Sequence, residues 1–192
     1  ALKEYVAALD KVNENWEVLM KEVKANKKEK VRLGTKSVGD IVDIGYSTPD
    51  GTKEKFLIVD KDFDVITLLS VNILDYSPFA IRSDVKGDIK PNDYEHSYIK
   101  VKMANWASSL PKKVKKKLAA APTLPTAEQL NLDGENEGAW DYFVDCDSEK
   151  LIAKVGSYAA TTGLAECGDQ EWYWTKSPYV SDSHNARGVH SD

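Results

Sequence analysis

The chain has 192 residues, 42% of them hydrophobic and 30% charged, which suits one folded domain with an appendage and excludes a fully disordered protein. Its 26 Lys and Arg against 31 Asp and Glu leave a formal charge of −5, far from the concentrated positive footprint of a generic nucleic-acid binder. No apolar stretch approaches the roughly 20 residues that span a bilayer, so membrane insertion is not expected.

The start, Ala1-Leu2-Lys3-Glu4, has no basic segment followed by an apolar one, and no signal peptide is read there; processing that exposed Ala1 would have removed one. Leu2, Tyr5, Leu9, Val12, Trp16, Leu19 and Val23 then alternate spacings of three and four, the a/d pattern of a heptad seam. They predict a helical stem over residues 1–30 that joins copies of the chain. The other reading is an amphipathic helix lying on its own domain, its stripe widened by Val6, Ala7 and Ala8. Trp16 is bulky for a two-stranded seam and fits a wider bundle, which favours a trimer. Lys24 to Lys30 reads as an exposed charged linker, and Gly34 marks a stop.

Val38 to Tyr46 alternates in part and runs into Ser47-Thr48-Pro49-Asp50-Gly51, a strong turn signal. Phe56-Leu57-Ile58-Val59 and Val65-Ile66-Thr67-Leu68-Leu69, separated by the polar Asp60-Lys61-Asp62, predict an antiparallel hairpin. Val71 to Tyr76 continues the apolar theme, and Arg82 to Ser97 reads as an irregular loop. Ser108-Ser109-Leu110-Pro111 opens a predicted helix through the Lys112–Lys117 run. Val114 and Leu118 would face its core and the lysines solvent. With no interleaved aromatics, the run does not read as a stacking platform for single strands. Thr126 predicts a cap for a helix entered at Pro125. In Glu171-Trp172-Tyr173-Trp174-Thr175-Lys176-Ser177-Pro178, strand alternation puts Trp172 and Trp174 on one face and Tyr173 on the other.

The order of these motifs carries a resemblance over residues 35–192. Val38-Gly39-Asp40, the Phe56–Val59 strand, Leu68-Leu69-Ser70, Ile73-Leu74-Asp75 and Pro78-Phe79 look like an uncharacterised domain family found in gut-bacterial and phage surface proteins. That family is related to the C-type-lectin-like fold of the sulfatase-modifying type. Leu124-Pro125-Thr126 with Glu128, and the aromatic strand ending in Lys176-Ser177-Pro178, are similar to its later motifs. The resemblance implies an α+β fold: a C-type-lectin-like domain with an antiparallel hairpin sheet behind the oligomerising N-terminal helix. It also implies that the polar stretch Tyr179 to Ala186 lies near a ligand-facing surface. Family domains continue past the position of Asp192, so either the sequence is cut short or a partner completes the sheet.

Chemistry finds little footing. There is no G-x-S-x-G elbow, and Gly34-Thr35-Lys36-Ser37 lacks the upstream glycine of a phosphate loop. His96, His184 and His190 lack zinc-ligand spacing. Asp141, Asp145, Asp147 and Glu149 read as a solvated acidic segment rather than a calcium site, and no cofactor or metal is expected. Cys146 and Cys167 do not match the cysteine motifs of the sulfatase-modifying enzymes, and both pairing and reduced thiols stay open. Binding fits better: Trp172, Tyr173, Trp174 and Tyr179 beside Asp182, His184, Asn185 and Arg187 combine aromatic faces with orienting polar groups. At least one of the two tryptophans is expected in the core.

The resemblance and this cluster together imply a non-catalytic protein of a phage virion surface, as a head fibre, capsid decoration or tail adhesin. Its expected partners are copies of itself, other virion proteins and a host-surface glycan or protein. A bacterial cell-surface module of the same fold and a purely structural assembly part are the alternatives.

Overall fold

The computed structural model describes Trp16 and residues 33–81, 90–144, 148–178 and 186–189. The chain divides into two compact units, Ala1–Thr35 and Lys36–Asp192. In the first, Trp16 is helical and 63% exposed, and Leu33–Thr35 forms a short 3-10 turn. Leu2, Tyr5, Leu9, Val12, Leu19 and Val23 lie outside the described residues, as does the predicted linker.

The second unit is mixed α+β, built from small sheets with few helices. β1 (Ile41–Val42), β2 (Phe56–Asp62) and β3 (Val65–Ser70) form an antiparallel sheet in that order. The turn before β2 follows from its residues. Gly51 takes φ +88°, which glycine adopts without steric cost, and Asp50 accepts hydrogen bonds from the Thr48 hydroxyl and the Thr52 amide. Those bonds, the Thr48 one foremost, hold the Asp50 carboxyl below its ordinary range.

β2 and β3 pair from Phe56↔Ser70 to Asp62↔Val65, with an irregularity between Ile58 and Asp60. That extra residue puts Ile58 and Val59, consecutive in the chain, both in buried positions. Asp60-Lys61-Asp62, expected as the turn, is therefore strand. The turn itself is Phe63-Asp64, where Phe63 holds φ 42° and is fully exposed. The left-handed region is costly for a bulky residue. Phe63→Gly is accordingly expected to stabilise the fold by about 1 kcal/mol, read as a higher urea midpoint.

β4 (Asn72–Ile73) pairs parallel with β5 (Ala153–Val155), and β5 pairs antiparallel with β6 (Gln170–Glu171). β7 (Tyr173–Pro178) and β8 (Ala186–Val189) form a separate antiparallel pair.

The helices depart from expectation. α1 (Tyr98–Ser109) occupies a stretch for which no helix was expected, although Ile99, Met103, Trp106 and Leu110 follow helical spacing along it; it starts where the Ser97 hydroxyl accepts the Lys100 amide at 3.2 Å. Within the stretch expected to be a loop, Tyr94–His96 makes a 3-10 turn, and residues 82–89 lie outside the described residues. α2 (Lys112–Lys115) ends after four residues, and Leu118, expected to face the core, is 41% exposed. A single turn of helix does not carry Leu118 round to the face of Val114. Thr126 does cap: its hydroxyl accepts the Gln129 amide at 3.0 Å, and the Gln129 side chain accepts the Thr126 amide at 2.8 Å. The segment after it, however, forms consecutive turns rather than a helix. α3 (Ser157–Ala160) follows β5.

Two hydrophobic clusters hold these pieces. Val59, Leu130, Phe143 and Val189 form one, with Leu57, Leu69, Trp140, Tyr142 and Tyr173 packed against it. Phe79, Tyr94 and Ile99 form the other, with Leu124, Trp174 and Ala186 around them. Among the described residues no helix is long and apolar enough to cross a membrane.

Candidate functional site

β7 and β8 sit between the two clusters, and the alternation of their side chains explains how. Tyr173 and Val189, directly opposite each other, belong to the first cluster; Trp174 and Ala186 belong to the second. Neither face of this ribbon is left to solvent over its whole length. Trp174 is the principal anchor on its side. Its ring meets Phe79 edge-on at 5.7 Å, and its Nε1 donates to the Ser77 carbonyl at 3.1 Å. Gly188, opposite Trp174, has no side chain; a Cβ there would lie 3.9 Å from the Trp174 ring and 4.0 Å from that of Trp172.

The ribbon is also tied along its edge. The Lys176 amide donates to the Pro125 carbonyl at 2.9 Å, and the Ala127 amide donates to the Ser177 hydroxyl at 2.9 Å. Fully buried Thr175 donates its hydroxyl to the Arg187 carbonyl at 2.8 Å. Arg187 grips both carboxylate oxygens of Asp133, at 3.0 and 2.6 Å. The Arg187 hydrogen bonds hold the Asp133 carboxyl below its ordinary range, with charge attraction adding to them. Glu128 is lowered as well, first by its own backbone amide and then by the Thr126 hydroxyl.

The ion pair has a testable pH signature. A carboxyl lowered on folding stabilises the native state above its unfolded pKa of about 4, and that contribution fades as pH falls through the folded value. Asp133 is largely exposed, so solvent screening limits the effect. Arg187→Gln is expected to cost about 1 kcal/mol or less at neutral pH, with the gap to wild type closing toward about pH 2. Urea midpoints at the two pH values check it.

The expected binding residues that are described therefore do not share one setting. Trp174 and Tyr173 are packing residues, and Arg187 serves an ion pair rather than standing open on a loop. Trp172 precedes β7 and is 58% exposed, but it lies at the end of the ribbon where Tyr173 meets Val189. The connection from Pro178 to Ala186 leaves from the opposite end, roughly 20 Å away at the rise of an extended strand. Tyr179, Asp182, His184 and Asn185 belong to that connection and lie outside the described residues.

Of the remaining candidates, His96 Nδ1 meets the exposed Asp93 carboxylate at 2.7 Å, and this hydrogen bond is the main cause of the lowered Asp93 carboxyl. Cys167 is a free, exposed thiol, whereas Cys146, Asp145, Asp147 and His190 lie outside the described residues.

Sequence reasoning missed Glu54. Its side chain is 1% exposed; Oε2 accepts from the Asn72 amide at 3.1 Å, while Oε1 has no partner. The signal was present, since Glu54 shares the parity of Phe56 and Ile58, both buried. Nearby Tyr46 has its phenol pushed up chiefly by burial, with the Glu54 charge acting in the same direction. No family model, curated protein or solved structure matches the chain.

Proposed function

We propose that this chain is a non-catalytic surface protein of a phage virion, whose lectin-like body binds a host-surface glycan or protein through the stretch that joins β7 to β8. The observation that supports this most is the clamp on that ribbon. Its two strands are packed on both faces and tied at the edge through Lys176 and Arg187. What they connect is the polar, aromatic-bearing sequence Tyr179-Val180-Ser181-Asp182-Ser183-His184-Asn185. A rigid base under a polar connection is the arrangement in which loops carry recognition. The order of motifs from Val38 to Pro178 supports the lectin-like reading of the same body.

The stem completes the proposal. Low-affinity sites gain strength when copies are tethered, and a trimeric stem would tether them. Trp16, at a seam position and 63% exposed, supplies apolar surface for such contacts. Light scattering is expected to show a trimer at about micromolar concentration, whereas a monomer would remove the stem from the account.

The decisive test is binding of the full chain to gut-bacterial cells and to a glycan array. Substituting Tyr179, His184 and Asn185 by Ala should reduce binding at least about tenfold with an unchanged urea midpoint. Wild-type protein that binds neither cells nor glycans overturns the adhesin reading in favour of a bracing part. Loss of binding on Trp172→Ala alone, with the triple variant still active, moves the site to the other end of the ribbon.

A further inference from the structure

We infer that copies of this chain associate through a knob and a groove: the Phe63 tip of one copy seats in the open groove between the end of α1 and Leu118–Pro122 of another. The knob is unusual on two independent counts. Phe63 is fully exposed, and it holds φ 42° at a turn position where glycine or asparagine would rest without strain. Strain of this kind persists where the displayed side chain has a use. The two-residue turn leaves the ring at the extreme end of the β2–β3 hairpin, flanked by exposed Asp62 and Asp64.

The groove has the opposite character in every respect. Its volume is about 530 Å³, and Ala107, Leu118, Ala120 and Pro122 supply its apolar wall. Ser108 and Lys115 supply polar groups to the lining, with the Lys115 ammonium donating to the Ser108 carbonyl at 2.9 Å. Among the described residues no carboxylate lines it. Lys112, Lys113, Lys116 and Lys117, all exposed, extend the positive charge beyond the rim. An aromatic ring between two aspartates is complementary in sign to an open hollow that has an alanine, leucine and proline wall beside a lysine run.

Phe63 is fully exposed in its own copy and so does not fill its own groove; the opposite charges around tip and groove favour a second copy as the occupant. Acidic flanks also argue against insertion into an anionic lipid surface. The contact is heterologous: each copy keeps a tip and a groove for further neighbours, and assembly grows with concentration. It is separate from any association through the stem and does not rest on the receptor-binding proposal.

The test places a photo-crosslinking benzophenone side chain at position 63 of the full chain and mixes isotopically light and heavy protein before irradiation. The expected product joins position 63 of one isotope to the tryptic peptide Leu118–Lys150 of the other. In parallel, sedimentation of Phe63→Asn, which tolerates the left-handed backbone, should show association weakened at least about tenfold relative to wild type. The charge-reversed Asp62→Lys/Asp64→Lys protein should fail to join wild type but join Lys115→Glu/Lys116→Glu protein. Crosslinks confined to one copy, crosslinks to a segment other than Leu118–Lys150 or the Ala107–Ser108 end of α1, or sedimentation indifferent to Phe63→Asn would each overturn the inference.

Discussion

Replacing Phe143 by alanine is expected to destabilise the second unit by about 3–5 kcal/mol, the largest effect of any single truncation considered for it. Phe143 is 1% exposed and packs with Val59 of β2, Leu130 and Val189 of β8. Its ring also meets Tyr142 edge-on at 5.1 Å and Trp140 at 6.4 Å. The cost comes from two sources, the lost transfer of a benzyl group and the cavity left behind. The cavity term is high here because the neighbours come from separate segments that are each fixed elsewhere. β2 is held in its ladder, β8 by Arg187 and Thr175, and Leu130 by the capped turn that begins at Thr126. Collapse around the missing ring would require all three to move. Against a typical domain stability of about 5–15 kcal/mol, such a loss leaves a marginal fold. The urea midpoint should drop with little change in slope, and Phe143→Leu should recover at least about half of the loss.

The second large effect is expected at Gly156, where alanine should cost about 2–3 kcal/mol. The backbone φ is ordinary, so the argument is one of space. A Cβ would lie 2.9 Å from the Ile73 carbonyl oxygen, 3.3 Å from the Asn72 Cβ and 3.4 Å from Glu54 Oε1. The Ile73 oxygen cannot easily yield, because it already accepts the Gly156 amide at 3.1 Å and lies in the parallel pair of β4 with β5. Glu54 is buried and bonded to Asn72, so retreat on that side breaks the hydrogen bond of a buried carboxylate. Thermal unfolding of Gly156→Ala checks the prediction; a midpoint equal to wild type would mean that the β4–β5 pairing is looser than described.

Legibility in the sequence followed the length and regularity of each element. The β2–β3 hairpin was readable because its β-branched runs are long enough to show a strand pattern, and the Pro49-Asp50-Gly51 turn because its residues have few other uses. The true tip, Phe63-Asp64, was not, since phenylalanine is a poor turn residue and the polar Asp60-Lys61-Asp62 offered a better-looking break. α1 was legible in principle, since Ile99, Met103, Trp106 and Leu110 repeat at helical spacing, but the exposed Val101 interrupts that stripe and only Ile99 within the helix is buried. β4, β5 and β6 are too short to leave a period at all and owe their pairing to tertiary contacts.

The candidate site shows the same division. Alternation along Trp172-Tyr173-Trp174 was legible and places Tyr173 and Trp174 in different clusters. That Arg187 would be taken up by Asp133, 54 positions earlier, was not legible from any local pattern. Nor did the sequence separate Trp172 from the Tyr179–Asn185 stretch. They are close along the chain, but Trp172 and Pro178, the residue that leads into that stretch, are at opposite ends of β7.

The account rests on β7 and β8 forming a rigid base because residues from each of their faces pack against a hydrophobic cluster. Native-state hydrogen exchange on the full chain tests it most directly. The amides that close the β7–β8 ladder should exchange only through global unfolding, with the same free energy as the amides of β2. Exchange of the β7–β8 amides through a separate, low-energy opening while β2 stays protected would contradict the account.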